Sequence, residues 1–424
     1  MVTVGAAAAL VAVTIMMQRY ALSTLAVDRA AIRGWLAGDG LYSYHDPATM
    51  LGTAISPPGA FAMVPLALLP LNLGGWLLAL AGLAALTLAL VALAGPIARR
   101  HRRPAYPIVL VALLLALATE PVRAVLGLGR WDLVLFGLIV ADLIGLRRSA
   151  WARSRAIWWP GRRSTAPRGP LGRFWATGAW AGAGIGLATA IAVGPALFIL
   201  YLAITRQWRA ALIALGTAAT LAAATLLAAP GTKSAWFGEV LWRLDRTGGV
   251  DQTGNQSLAG VLARLYDSAT TPILLWASFA LLLVAVGFIR ARSAHLEGDE
   301  VTAFTLVGLT GAIIGPVTLT GELIWVLPAV LLLAAAGARA RWEAVRPRPG
   351  VLGRFPGLGW FAAAGGGYLL FVAAPIWTVD DVLVRNAYAI ALIVIVNALP
   401  WNSGTAPAFP IDRWVTQRSR LRDS

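Results

Sequence analysis

Residues 71–94 read LNLGGWLLALAGLAALTLALVALA, and the chain then meets Gly95-Pro96 and the cluster Arg99-Arg100-His101-Arg102-Arg103. An uncharged run of this length matches the roughly 20 apolar residues that a helix needs to cross a bilayer. A basic cluster directly after such a run is the pattern of a cytoplasmic turn facing anionic lipid. The stretch therefore reads as a transmembrane helix whose C-terminal end lies inside, and the fold follows from finding the same unit along the chain.

The composition points the same way. Of the 424 residues, 58% are hydrophobic and only 13% are charged, about half the charge of an ordinary soluble chain, and the mean hydropathy is +0.73. The net charge of +16 would suit a nucleic-acid partner only if it were gathered on one face. It lies instead in short turns between apolar runs, so membrane lipid is the expected partner and nucleic acid is not. The absence of cysteine excludes disulfides, thiolate catalysis and zinc-thiolate sites. His45, His101 and His295 stand too far apart for metal-ligand spacing, so neither a metal nor another cofactor is expected. Residues 1–17 lack a basic leader and a cleavage site, which makes them a first membrane helix rather than a removed signal.

Arginine fixes the direction of each crossing. Residues 4–17 go out to a first outer loop at 18–58. Only one net crossing fits between Pro58 and Arg99 if the basic cluster is inside, which leaves residues 59–69 as a re-entrant or interfacial piece, with a full extra span as the alternative. Residues 107–119 go out and 133–146 return to a basic cytoplasmic loop at 147–173. Further runs at 179–193, 195–204 and 211–229 lead to a second outer loop at 231–270. The remaining runs are 272–289, 304–314, 323–336, 361–374 and 382–399, ahead of a basic cytoplasmic tail at 400–424. Arg206, Arg209, Arg290, Arg292, Arg339, Arg341, Arg346 and Arg348 all fall on the inner side. The expected architecture is a single all-α, polytopic integral membrane domain over residues 1–424, with about eleven to thirteen transmembrane helices.

This topology collects the scarce polar residues on the outer side: Asp28, Glu120, Arg123, Arg130, Asp132, residues 233–256, Glu322 and Asp380-Asp381. Three functions suit such a chain. A glycosyltransferase using a lipid-linked sugar needs a carboxylate base for the acceptor hydroxyl and cationic donors for the leaving phosphate. A secondary transporter needs ionisable groups near the bilayer midplane and paired half-repeats. A non-catalytic scaffold needs neither. The charges sit at the ends of runs and no internal repeat is evident, which favours the first reading.

Four motifs in order add a resemblance. Asp28, followed by Gly38-Asp39-Gly40-Leu41-Tyr42, is the first. Ser56-Pro57-Pro58 with residues 65–70 (PLALLP) is the second, and Asn255-Gln256-Ser257-Leu258 is the third. Gly315-Pro316-Val317-Thr318, running on to Trp325-Val326-Leu327-Pro328, is the fourth. The chain thus resembles the polyprenyl-phosphate-mannose-dependent α-(1,2)-mannosyltransferases of high-GC Gram-positive bacteria, membrane enzymes of the GT-C type. It departs from them where the family has Gly-Gln-x-Asn and this chain has Gly129-Arg130-Trp131-Asp132. It departs again where a lysine gives way to Ala192, and where two histidines give way to Gly321 and Glu322.

The resemblance implies an inverting transfer of mannose, at the extracytoplasmic face of the cell membrane, from a polyprenyl-phosphate sugar donor to a glycolipid or lipoglycan acceptor. An arabinofuranosyl donor, a non-catalytic homologue and a lipid-sugar transporter stand as alternatives. It further implies Asp28 as the catalytic base. Arg130, with Arg123 second, is the expected ligand of the donor phosphate. Glu322, Asn255, Gln256 and Asp132 are expected to bind sugar or acceptor. Trp35, Trp236, Trp242 and Trp377 read as interfacial belt residues, with Trp236 or Trp242 open to stacking on a sugar.

Overall fold

The structure is a computed structural model that describes residues 2–100, 105–158, 169–229, 231–240, 249–267, 271–344 and 357–401. These residues form nineteen α-helices with short π and 3-10 turns, and their only strand-like pairings are the isolated bridges His45–Gly52 and Asn255–Leu319. The tail at 402–424, the middle of the basic loop (159–168) and Trp242 lie outside the described residues.

The chain opens with α1 (Val2–Tyr20) and α2 (Ser23–Leu36), bent from one another by 67°. The bend sits at Ala21 and Leu22, both with positive φ (54° and 51°), a conformation that costs an L-residue about 1 kcal/mol unless packing holds it. Leu22 is held: it is 2% exposed, and its N–H donates to the Gly127 carbonyl at 3.1 Å. Nineteen residues of helix reach about 28 Å, near the thickness of a bilayer's apolar core. The second helix, carrying Asp28, Arg29 and Arg33, turns away along the surface.

Helix α3 (Pro57–Leu68) begins where Ser56 Oγ accepts from the Gly59 N–H at 3.1 Å, an N-cap followed by two prolines. Its C-terminal carbonyls receive Arg29 Nε at Leu69 O (2.9 Å) and Arg33 Nε at Ala67 O (2.8 Å). Cations there satisfy orphan acceptors and match the negative end of the helix dipole. At 12 residues the helix is about 18 Å long, too short to cross as a straight rod.

Helix α4 (Leu71–Arg100) contains the opening stretch and runs on through Gly95-Pro96 instead of stopping there. One proline removes a single helical hydrogen bond and kinks the helix without having to end it. Next come α5 (Ala105–Ala118) and α6 (Glu120–Leu128), bent by 74° at Thr119. They are followed by α7 (Asp132–Trp158), α8 (Pro170–Thr177), α9 (Ala183–Ile191), α10 (Ala196–Ile204) and α11 (Trp208–Ala228). A short α12 (Gly231–Ala235) continues as a π turn at Trp236–Val240, and α13 (Leu258–Leu265), α14 (Ile273–Leu296) and α15 (Glu300–Ile314) follow. A 3-10 turn at Thr320–Trp325 leads into α16 (Val326–Ala344), and α17 (Leu358–Ala373), α18 (Val382–Arg385) and α19 (Ala387–Ala398) complete the described chain.

Five stretches are long and apolar enough to cross a membrane, and up to seven if each bent pair forms one span. The expected eleven to thirteen counted apolar runs, and the fold breaks several of those runs into shorter pieces. Helices α9 and α10 have nine residues each, about 14 Å, where the sequence suggested two crossings. Helices α3, α15 and α19 are apolar but short, and α7 carries Asp142 within its apolar stretch.

Among the described residues the bundle closes on one large core, with a small second cluster at Val250, Ala259 and Ala263. Helix α14 lies along α15, α4 along α7, and α9 along α11. Close approach between α1 and α6 depends on Gly127, where a Cβ would stand 2.4 Å from the Tyr20 ring. That contact fixes the direction of α6, and so of Gly129 to Asp132 at its end.

Candidate active site

At the end of the bundle where α2, α7, α10 and the 3-10 turn converge lies a cavity of about 1140 Å³. Its wall combines the charged Asp28, Arg130, Asp132 and Glu322 with apolar residues that include Leu200, Ala280, Gly311 and Ala312. Every side chain in that polar group was expected from the sequence, and three of the four come from separate elements.

Asp28 sits half-buried in α2. Thr53 donates its hydroxyl to Asp28 Oδ1 at 2.6 Å while accepting the Ile55 N–H at 3.2 Å. The second interaction leaves the hydroxyl hydrogen for the carboxylate, and Asp28 lines the cavity. Burial pushes the Asp28 pKa up to about 6, against the Thr53 hydrogen bond and the Arg130 charge, which both favour the ionised form. A carboxylate so placed is ionised near neutrality yet basic enough to take a proton.

Arg130 follows Gly129, which ends α6 at φ 72°. A side chain there would be strained, and its Cβ would come within 2.7 Å of Leu25 Cβ. The turn delivers Arg130 to two carboxylates: Nε lies 2.8 Å from Asp132 Oδ2, and Nη2 lies 2.7 Å from Glu322 Oε1. Glu322 arrives from 192 residues away on the 3-10 turn that packs against α6. A Cβ at Gly321 would stand 3.0 Å from Val125 Cγ2 and 3.5 Å from Arg130 Nε. Trp325 closes the same wall, edge-on to Phe136 at 4.9 Å, and a Cβ on Gly308 would clash with its indole at 2.1 Å.

Three other expected site residues do not line the cavity. Arg123 donates from Nη2 to the Val372 carbonyl at 2.9 Å and lies 3.8 Å from Glu120. Asn255 and Gln256 are 1% and 0% exposed. Asn255 Oδ1 accepts the Thr318 N–H at 2.9 Å and the Ser257 N–H at 3.2 Å, while Gln256 donates its backbone N–H to Thr318 O at 2.8 Å. Gln256 Nε2 also donates to the Arg385 carbonyl at 2.8 Å. The motif clamps residues 316–319, and those lead straight into the turn that carries Glu322. It shapes the wall from behind.

Of the tryptophans, Trp236 lines the cavity and stacks on Tyr42 at 5.9 Å, while Trp35 meets Phe61 edge-on at 5.1 Å. Trp377 donates its indole N–H to Glu120 Oε1 at 2.7 Å. His295 pairs with Glu300, which also accepts the Tyr201 hydroxyl at 2.8 Å, away from the cavity. Among the described residues no three potential metal ligands gather. Two functional positions were missed from the sequence. Thr53 lies 25 residues from Asp28 with no periodicity to join them, and Gly321 registers only as a departure until its close approach to Val125 and Arg130 is seen.

A model of glycosyltransferase family 87 matches residues 56–316, a range that leaves Asp28 and Glu322 outside it. The chain is 29% identical over 332 residues to a polyprenol-phosphate-mannose-dependent alpha-(1-2)-phosphatidylinositol mannoside mannosyltransferase of Mycobacterium tuberculosis, covering 73% of this chain and 69% of that one. The protein of the same description from Mycolicibacterium smegmatis is 28% identical over 229 residues, with 52% and 46% of the two chains covered. A polyprenol-phosphate-mannose-dependent alpha-(1-2)-phosphatidylinositol pentamannoside mannosyltransferase of Mycobacterium tuberculosis is 28% identical over 239 residues, with 53% of each chain covered. The chain thus spans about half the length of the second and third of these relatives. No solved structure matches it.

Proposed function

This chain belongs to glycosyltransferase family 87, and from that premise we propose that it transfers mannose from polyprenyl-phosphate mannose to a phosphatidylinositol mannoside or related cell-envelope glycolipid, forming an α-1,2 bond with inversion. The observation that supports this reading is one cavity whose wall joins the charged Asp28, Arg130, Asp132 and Glu322 to apolar residues of α10, α14 and α15. A substrate with a sugar-phosphate head on an isoprenoid chain joins the same two kinds of surface, and burying each against its own kind avoids stranding polar groups in hydrocarbon.

The reaction is a single displacement. Asp28 Oδ2 takes the proton from an acceptor hydroxyl as the hydroxyl oxygen bonds to the anomeric carbon. The bond from that carbon to the phosphate oxygen breaks, and the polyprenyl phosphate leaves with both electrons. Asp132 and Glu322 are assigned to the sugar. Asn255 and Gln256 support the wall from behind, and Arg123, partnered outside the cavity, is not retained as a phosphate ligand.

We also assign the cavity to the extracytoplasmic face. The cavity-lining residues Leu135 and Phe136 of α7 and Trp276 and Ala280 of α14 lie toward the starts of their helices, and α16 begins directly after Trp325. The same helices carry Arg147 and Arg148, Arg290 and Arg292, and Arg339 and Arg341 toward their far ends, as the positive-inside rule requires.

The test is Asp28→Asn in membranes supplied with polyprenyl-phosphate mannose. The variant is expected to insert and melt normally while transfer falls by about 10²- to 10⁴-fold, the usual range for losing a general base. Undiminished transfer would remove Asp28 from the mechanism.

A further inference from the structure

Sequence resemblance made Arg130 a phosphate ligand, but its surroundings are those of a different device. Two of its nitrogens are already committed, Nε to Asp132 Oδ2 at 2.8 Å and Nη2 to Glu322 Oε1 at 2.7 Å. Two carboxyl groups thus face the one guanidinium. We propose that Asp132, Arg130 and Glu322 act as one unit that reads two neighbouring hydroxyl groups of the transferred sugar, with Arg130 as the positioning residue for the two carboxylates rather than the seat of the donor phosphate. The inference rests on the reading of this cavity as a glycosyl-transfer site.

The unused atoms define the reader. Asp132 Oδ1 and Arg130 Nη1 have no hydrogen-bond partner among the described residues and are not sealed from solvent as Arg123 Nε and Trp131 Nε1 are, while the Glu322 carboxylate, beside its bond to Arg130, also accepts from the Leu319 backbone. All three residues line the cavity with Asp28. The wall therefore offers two anionic acceptors and one cationic donor. A hydroxyl can donate to a carboxylate and accept from a guanidinium, so a pair of hydroxyls satisfies all three groups. A phosphate oxygen can only accept, and here it would face two carboxylates beside the one donor, a like-charge arrangement that disfavours it.

Spacing and rigidity agree. The carboxylates bind two nitrogens of one planar guanidinium, which ties both acceptor groups to a single rigid frame, as reading two neighbouring hydroxyls requires. Arg130 fixes both because its fork is planar and always charged, which a lysine cannot reproduce. Its mount is equally constrained: Gly129 supplies the left-handed turn before it, and Gly321 comes close to it from the other side. Arg130 is also close enough for its charge to favour the ionised form of Asp28, which sets the hydroxyl reader beside the proposed base.

The experiment pairs each enzyme group with a substrate hydroxyl. Transfer by the full-length protein is measured with polyprenyl-phosphate mannose and with its 2-, 3-, 4- and 6-deoxy analogues. Wild-type kcat/KM is expected to fall about 10- to 100-fold for two adjacent deoxy positions, the usual worth of a hydrogen bond to a charged group. Glu322→Gln and Asp132→Asn should each erase the penalty at one of those positions. Arg130→Gln should weaken both penalties together, with Arg130→Lys recovering only part. Equal use of all the analogues by the wild type would overturn the proposal. So would an Arg130→Gln protein that keeps both penalties and only raises the donor KM, since that is the behaviour of a phosphate ligand. The same donors are titrated onto Asp28→Asn protein by tryptophan fluorescence, which needs no turnover. Hydroxyl-dependent binding without transfer by the wild type would sink the mannosyltransferase reading and leave the reader standing. Binding that ignores the hydroxyls would sink the reader alone, and no binding of any donor would sink both.

Discussion

Arg123 and Arg130 are seven positions apart in sequence, one within α6 and the other just beyond it, and each meets a glutamate. The Arg123 group is turned into the fold and away from the cavity: the Val372 carbonyl takes Nη2, Glu120 is shared between that guanidinium and the Trp377 indole, and Nε is buried without a partner. Around Arg130 the fold supplies one partner oxygen from each of two carboxylates and leaves the other atoms on a cavity wall. The chemistry is nearly the same and the use is opposite. A closed polar group ties helices together, and an open one awaits a ligand.

The comparison breaks most visibly at the two glutamates. Glu322→Ala should lower transfer about 100-fold, the upper range for a hydrogen bond to a charged group, with a small change in melting temperature. Glu120→Ala should do the reverse, costing about 1–3 kcal/mol of stability by stranding the Trp377 N–H and the Arg123 charge, while transfer per folded molecule stays within about threefold. Initial rates and melting curves on the same purified samples separate the two. An Glu120 variant that melts normally and is inactive would collapse the distinction.

A smaller effect sharpens it. Thr53→Val removes the hydroxyl that favours the ionised form of Asp28, so the rising limb of the pH–rate profile should move to higher pH. The variant should lose a few-fold in rate near pH 6, about where Asp28 titrates, and regain wild-type rate on the alkaline plateau. Thr53→Ser should restore the limb, and an unmoved limb in Thr53→Val would show that the hydroxyl only fills space.

What could be read from the sequence divides along similar lines. The long crossings were legible because residues 71–94 and similar runs carry their own signal, apolarity over the thickness of a bilayer. Helices α9 and α10 were not, because an apolar run gives no sign of ending half-way when its end is held by a cavity wall. Asp28, Arg130, Asp132 and Glu322 could each be picked out as rare charges in an apolar chain. Their union could not, since the ion pair between Arg130 and Glu322 spans 192 residues. Asn255 and Gln256 looked like ligands for the same reason that they make good clamps: an amide can both donate and accept, and the fold uses that capacity on its own backbone.

The most direct measurement of the account is the pH dependence of kcat/KM for mannosyl transfer by the wild type and by Asp28→Asn. Burial favours the protonated form of Asp28, so the base is lost as pH falls through about 6 and regained above it. The corresponding contribution to stability runs the other way: the raised pKa favours the fold at low pH and is lost as pH rises through the same value. The account predicts a wild-type rate that climbs through about pH 6 to a plateau, and a residual Asp28→Asn rate without that limb. A flat wild-type profile across this range, or the same limb in both proteins, would contradict it.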